Sequence, residues 1–164
     1  MLKRLIASLR HDTEGSAFVE AALVMPVLIS LVFGALEFSW YFHKQQLVES
    51  GVRDAARYLA RTSAANSDAN PCSNATFVAN AQNIAATGVI NGGTARVPGW
   101  TAGSVTITCP SVDNSTASYL GATTIYLVSV STSFADPALG FFSIINLTAP
   151  NLQASHSERS IGGG

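Results

Sequence analysis

The chain has 164 residues, of which 48% are hydrophobic and only 12% charged, about half the charged share of an ordinary globular domain. That length suits one domain, or one domain joined to an anchoring helix, and a net charge of −1 with no basic patch excludes a nucleic-acid-binding surface. Recurrent apolar, β-branched segments exclude disorder of the whole chain, and a single segment long enough to cross a bilayer excludes a multi-spanning protein.

A span needs roughly 20 mostly apolar residues. Ala17 to Phe42 supplies them, with no charge between Ala21 and Leu36 and with Glu20 and Glu37 near the two ends. Trp40 and Tyr41 stand at the far edge, where amphipathic rings favour the lipid–water boundary. Lys3, Arg4 and Arg10 precede the span and Lys44 follows it, so the positive-inside rule puts the N-terminus in the cytoplasm and the rest outside. The apolar run is too long for a secretory signal peptide, and Glu37-Phe38-Ser39-Trp40 offers no small-residue cleavage site. A carboxylate such as Glu20 costs roughly 2.5–3.5 kcal/mol at the centre of a membrane helix and less towards an end, which makes it a functional candidate by default.

Gly15, followed by an apolar helix with Glu20 at the fifth place, resembles the processing site of type IV prepilins. A longer string resembles the TadE-like family, the minor pilins or pseudopilins of tight-adherence pilus systems. It runs from Gly15-Ser16-Ala17-Phe18-Val19-Glu20 through Ala21-Ala22-Leu23-Val24-Met25-Pro26-Val27-Leu28 and Gly34-Ala35-Leu36-Glu37-Phe38 to Ala55-Ala56-Arg57-Tyr58. Ala21 departs from the family, which often has an aromatic residue there. The resemblance implies a leader, residues 1–15, removed by a prepilin peptidase between Gly15 and Ser16. It also implies that Glu20 pairs with a free α-amine, its own or a neighbour's, offsetting the desolvation each charge would suffer alone. Implied partners are other minor pilins and the major pilin, met through the N-terminal helix, and the inner-membrane assembly platform, with the lipid bilayer around the stem. The major pilin of such systems is much shorter than this chain, which points to a minor component.

Past the span the helix is expected to continue to Arg61. Leu47, Val48, Val52, Ala55, Ala56 and Leu59 recur at three- and four-residue spacing. Glu49, Arg53, Arg57 and Arg61 run along the opposite side, read as a solvated face or as a contact for an acidic partner or lipid headgroups, with Glu49 and Arg53 in the favourable i,i+4 order. Pro26 removes a backbone hydrogen bond and is the expected kink; Gly51 is the other weak point. Residues 62–74 read as a linker. Ala75–Thr87 reads as a helix with Phe77, Val78, Ala81, Ile84 and Ala85 on one side and Gly88 as its stop.

Val105, Ile107 and Cys109 alternate with Thr106 and Thr108, a strand pattern. Thr123–Phe134 is a second strand with Tyr126, Val128, Val130 and Phe134 on one face. Pro110 to Ala122 reads as a polar exposed loop, Asp136-Pro137 as a turn, and Asn151–Ile161 as a final strand. Leu139, Phe141, Phe142, Ile144 and Ile145 form an apolar patch too short to span, which caps the core or lies against the membrane or a partner; core is the preferred reading, because a small domain needs each large apolar residue it has.

Cys72 and Cys109 both fall outside the membrane in this topology, in an oxidising compartment, so a disulfide is expected between them. Neither has a second cysteine or a histidine at metal-ligand spacing, and no metal or cofactor is expected. Ser155-His156-Ser157 places a nucleophile beside a base, but neighbours in sequence rarely face one another. No catalytic residue is assigned.

The reading is an α+β protein with a long transmembrane stem, residues 16–61, and an extracytoplasmic domain, residues 75–164, holding a short helix and an antiparallel sheet. Its function is structural: a minor pilin that initiates, caps or regulates assembly of a tight-adherence pilus and thereby surface adhesion. The alternatives are a type II secretion pseudopilin, a signal-anchored periplasmic binding domain, and an anchored enzyme.

Overall fold

The computed structural model describes residues 13–65, 70–116, 118–119, 123–137, 140, 142, 146 and 148–161. The leader residues 1–12, part of the linker and Gly162-Gly163-Gly164 lie outside them. Of the apolar patch only Phe142 is described, and it is buried, as expected for core.

Helix α1 spans Thr13–Ala65 and α2 Ala75–Thr87. A 3-10 turn at Ala102–Ser104 leads into four strands, β1 (Val105–Thr108), β2 (Ser111–Asp113), β3 (Thr124–Phe134) and β4 (Leu152–Arg159). The fold is α+β, with a long apolar helix followed by a short helix and an antiparallel sheet. Two compact units divide the chain, one ending at Ser39 and the other beginning at Trp40.

In the second unit, the predicted apolar face of α1 is the buried one: Val48, Val52, Ala55, Ala56 and Leu59 are fully enclosed, while Glu49, Arg53, Arg57 and Arg61 are exposed. The face joins a single cluster with Ala81, Ala85 and Ala86 of α2, Val105, Val128, Val130 and Leu152 of the sheet, and Val97 and Trp100 of the connecting loop. Helix α2 has the predicted bounds for local reasons. The Asn74 side chain accepts from the backbone N–H groups of Thr76 and Phe77 at 3.0 and 3.4 Å, satisfying two donors that the helix leaves open. Gly88 ends it at φ 84°, a left-handed conformation open to glycine at little cost, with its N–H on Ile84 O. The small residues of α2 let it approach α1 closely.

Gly51 is the point of that approach. It is a packing contact rather than the weak point that helix propensity suggests. A Cβ there would lie 2.4 Å from Ala85 O and 2.6 Å from the Trp100 ring. Gly51→Ala should therefore destabilise the domain by about 1–3 kcal/mol through overpacking, despite alanine's better helix propensity. A thermal melt beside wild type checks this, and an unchanged or raised midpoint would contradict the packing argument.

The sheet is built around β3. β4 pairs along one edge, from Leu127↔Arg159 to Phe134↔Leu152. β1 and β2 share the other edge in one continuous register, Val105↔Thr132 to Thr108↔Ser129 and then Ser111↔Tyr126 to Asp113↔Thr124. Pro110 interrupts the ladder because it has no N–H to give, yet its carbonyl still accepts from Leu127 N at 2.9 Å. The segment read as a loop from Pro110 thus contains a short edge strand. Its exposed residues Ser111-Val112-Asp113 lack the buried alternation by which a strand is recognised. On β3 the inward face carries Val128, Val130 and Thr132. Thr132 is buried and satisfied: its hydroxyl accepts from Trp100 Nε1 at 3.1 Å and donates to Ser104 O at 2.9 Å. The Trp100 ring stacks on Phe134 at 5.8 Å.

Candidate functional site

In the first unit α1 carries the residues singled out by the prepilin resemblance. Its apolar side chains are exposed, Phe18 by 80% and Leu23 by 74%, so nothing among the described residues covers them. The helix is long and apolar enough to cross a membrane and fits a single-pass anchor. Gly15 and Ser16 lie on α1 near its start, and among the described residues nothing beyond the adjoining helix lies within 4 Å of the place a Gly15 side chain would occupy. Glu20 is exposed one turn further on, with no polar partner among the described residues. Pro26 stands inside the helix, which continues on both sides of it without a break. The Ser30 hydroxyl donates to Pro26 O at 2.8 Å, and that of Ser39 to Ala35 O at 2.9 Å. Back-bonding of this kind buries a hydroxyl's polarity within an apolar helix.

In the second unit Cys72 and Cys109 are joined, with Cα atoms 5.9 Å apart. The bond ties the turn before α2 to the end of β1. On the α2 side the turn is itself locked, since Asn70 Oδ1 accepts from Cys72 N at 2.9 Å and Asn70 O from Ser73 N at 3.0 Å. The bridge closes a loop with a sequence separation of 37. Restricting the unfolded chain over that length is worth roughly 4 kcal/mol as an upper figure. Reduction, or Cys72→Ala with Cys109→Ala, should lower the unfolding midpoint accordingly. Equal midpoints with and without reductant would mean that the bridge does not restrain the unfolded chain.

Two residues read as markers of the membrane boundary or of a turn prove to be packed together. Lys44, 3% exposed, forms an ion pair with Asp136, 6% exposed. The Lys44 ammonium also lies 5.6 Å from the centre of the Trp40 ring. Tyr41, read as an interfacial ring, is half-buried and donates its hydroxyl to Asn151 O at 3.3 Å. Gln45 holds the free edge of β4 at both backbone groups of Gln153: its Nε2 donates to Gln153 O at 2.6 Å and its Oε1 accepts from Gln153 N at 3.4 Å. Ile161 N donates to Ala60 O at 3.2 Å. The helix from Tyr41 to Ala60 therefore runs alongside β4, fastened at both ends. None of this was legible locally: Lys44 and Asp136 are 92 residues apart.

The Ser155-His156-Ser157 triplet does not form a nucleophile–base pair. Alternation along β4 turns His156 to the half-buried face and both serines to the other. His156 Nε2 lies 3.1 Å from Glu158 Oε2, and the Ser157 hydroxyl donates to that of Ser129 at 3.0 Å.

An exposed apolar helix with a carboxylate near its start, and a separate disulfide-bonded α+β unit, define a class of protein with an anchoring stem and a small domain. Residues 15–57 match the family model of the TadE-like proteins, which bears out over that segment the resemblance carried by Gly15 through Tyr58. The family is structural and associated with tight-adherence pili. Searches of curated proteins and of solved structures found no match.

Proposed function

We propose that the protein is a minor pilin of a tight-adherence pilus, anchored by α1 in the inner membrane with its N-terminus in the cytoplasm and its disulfide-bonded domain in the periplasm. The observation that carries the reading is the match of residues 15–57 to the TadE-like model, a segment that starts at the glycine of the prepilin-like site. The uncovered apolar surface of α1 from Phe18 to Phe33 supports it, because an exposed apolar segment of this length needs lipid or other helices around it. The Cys72–Cys109 bond supports an oxidising compartment for the domain. In this reading the prepilin peptidase cuts after Gly15. Ser16 becomes the first residue, and Glu20 docks on an α-amine within the assembly. The other minor pilins, the major pilin and the inner-membrane platform are the partners, and initiating, capping or regulating the filament is the role. The family match favours this system over a type II secretion machine.

The test is N-terminal sequencing of the protein from a strain with an active prepilin peptidase. The expected first residue is Ser16, and Gly15→Val should leave the precursor uncut because bulk would obstruct the scissile bond. A mature chain still beginning at Met1 would overturn the proposal.

A further inference from the structure

Beyond Trp40, the charged side chains of the described residues are engaged, with three exceptions on one helix. Lys44 meets Asp136, Arg96 Nη2 meets Asp54 Oδ2 at 2.8 Å, and His156 meets Glu158. Glu49 Oε1 accepts from Gln45 Nε2 instead of pairing with Arg53, and Asp113 accepts from Ser115. The Arg159 guanidinium lies 5.2 Å from the centre of the Tyr119 ring. Arg53, Arg57 and Arg61 are exposed and have no ion pair or hydrogen bond among the described residues. They recur every four residues on α1, so like charges are neighbours, an arrangement that weakens a helix. Arg57 and Arg61, with Asp54, Tyr58 and Thr62, line an open recess of about 540 Å³. Its wall is fixed: Asp54 is neutralised by Arg96, and the Tyr58 hydroxyl accepts from Asn80 Nδ2 at 3.3 Å.

We propose that this recess docks the acidic face of a helix of another protein, with Arg57 and Arg61 each taking one of two carboxylates four residues apart. A guanidinium fork matches a carboxylate in geometry as well as charge, and carboxylates at the same helical spacing would meet both forks at once. A second copy of this chain does not fit, because no two carboxylates in its sequence are three or four residues apart. A protein carboxylate pair is favoured over lipid phosphate because the two guanidinium groups stand one helical turn apart along a recess with a fixed wall, a spacing that a fluid headgroup layer does not present. That the partner is another pilus subunit rests on the function proposed above; the docking chemistry does not.

The experiment uses the full chain in phosphatidylcholine nanodiscs. The probe is a helical peptide with glutamates at four-residue intervals, followed by fluorescence anisotropy. The expected result is binding that weakens with salt, that falls about fivefold or more in R57Q/R61Q, and that is absent for the peptide with glutamines in place of the glutamates. R57E/R61E should gain affinity for the matching lysine peptide. An intact disulfide and an unchanged circular dichroism spectrum identify a folded variant, and R57K/R61K, which keeps the charge without the fork, gives a second reading if the glutamine variant does not fold. Equal affinity of wild type and R57Q/R61Q for the glutamate peptide would overturn the proposal. So would flotation with phosphatidylglycerol vesicles that depends on Arg57 and Arg61 while the peptide does not bind. Neither result bears on cleavage after Gly15, so failure here and failure of the pilin reading are distinguishable.

Discussion

Lys44→Met is expected to destabilise the Trp40–Gly164 unit by about 3–5 kcal/mol, the usual cost of removing one partner from a buried ion pair. Both side chains are enclosed, Lys44 at 4% and Asp136 at 0% side-chain exposure. The loss arises less from the missing attraction than from the Asp136 carboxylate left in a desolvated place without that ammonium. Methionine keeps most of the lysine stem, so packing changes contribute little. The contact with the Trp40 ring adds a smaller loss, about 0.5–2 kcal/mol. The melting midpoint in detergent, followed by near-ultraviolet circular dichroism, should fall by on the order of 10 °C. Lys44→Met combined with Asp136→Leu should recover most of the loss, since replacing both charges with apolar groups removes the desolvation penalty. A double variant as unstable as the single one would mean that the ion pair itself is not the source of the effect.

Glu20→Ala should abolish docking in the assembly while leaving membrane insertion and processing largely intact. This follows from the proposed function. Removing a carboxylate from near the end of a membrane helix eases insertion, if it changes it at all. Cleavage should persist because the glycine carries the processing signal. In the assembled state a partner's α-amine would enter an apolar environment without its carboxylate, again at about 3–5 kcal/mol, enough to disrupt a helix–helix contact of modest affinity. Co-purification with the major pilin and a count of surface pili read the effect. Normal pili with undiminished co-purification would leave Glu20 as a headgroup contact and remove the physical support that this residue lends to the pilin reading.

Much of the protein was legible because its signals are local. The apolar run and its preceding basic residues mark the stem, and three- and four-residue spacing marks the face of α1 that is buried from Val48 to Leu59. Asn74 and Gly88 bracket α2, and alternation exposes β1, β3 and β4. Gly15 and Glu20 stand out because a glycine directly before an apolar helix and a carboxylate inside one are both conspicuous against their neighbours. Cys72 and Cys109 pair because no other cysteine competes.

What the sequence determined by itself, then, is both helices and the strands β1, β3 and β4, the apolar segment with its prepilin-like pattern, and the only possible disulfide. The tertiary structure alone decided which charges are spent internally and which, among the described residues, are left over. Lys44 looks like a topology marker until Asp136 arrives from 92 residues away, and Gly51 looks like a helix defect until α2 and Trp100 close on it. Ser111–Asp113 has no strand signature and pairs only because the long neighbouring β3 offers its edge. The arginines at 53, 57 and 61 become informative only once Asp54 and Glu49 are seen to be engaged elsewhere. Periodicity reports which face of an element is apolar; which distant groups share a buried or exposed site depends on how the faces are brought together, and local spacing carries no record of that.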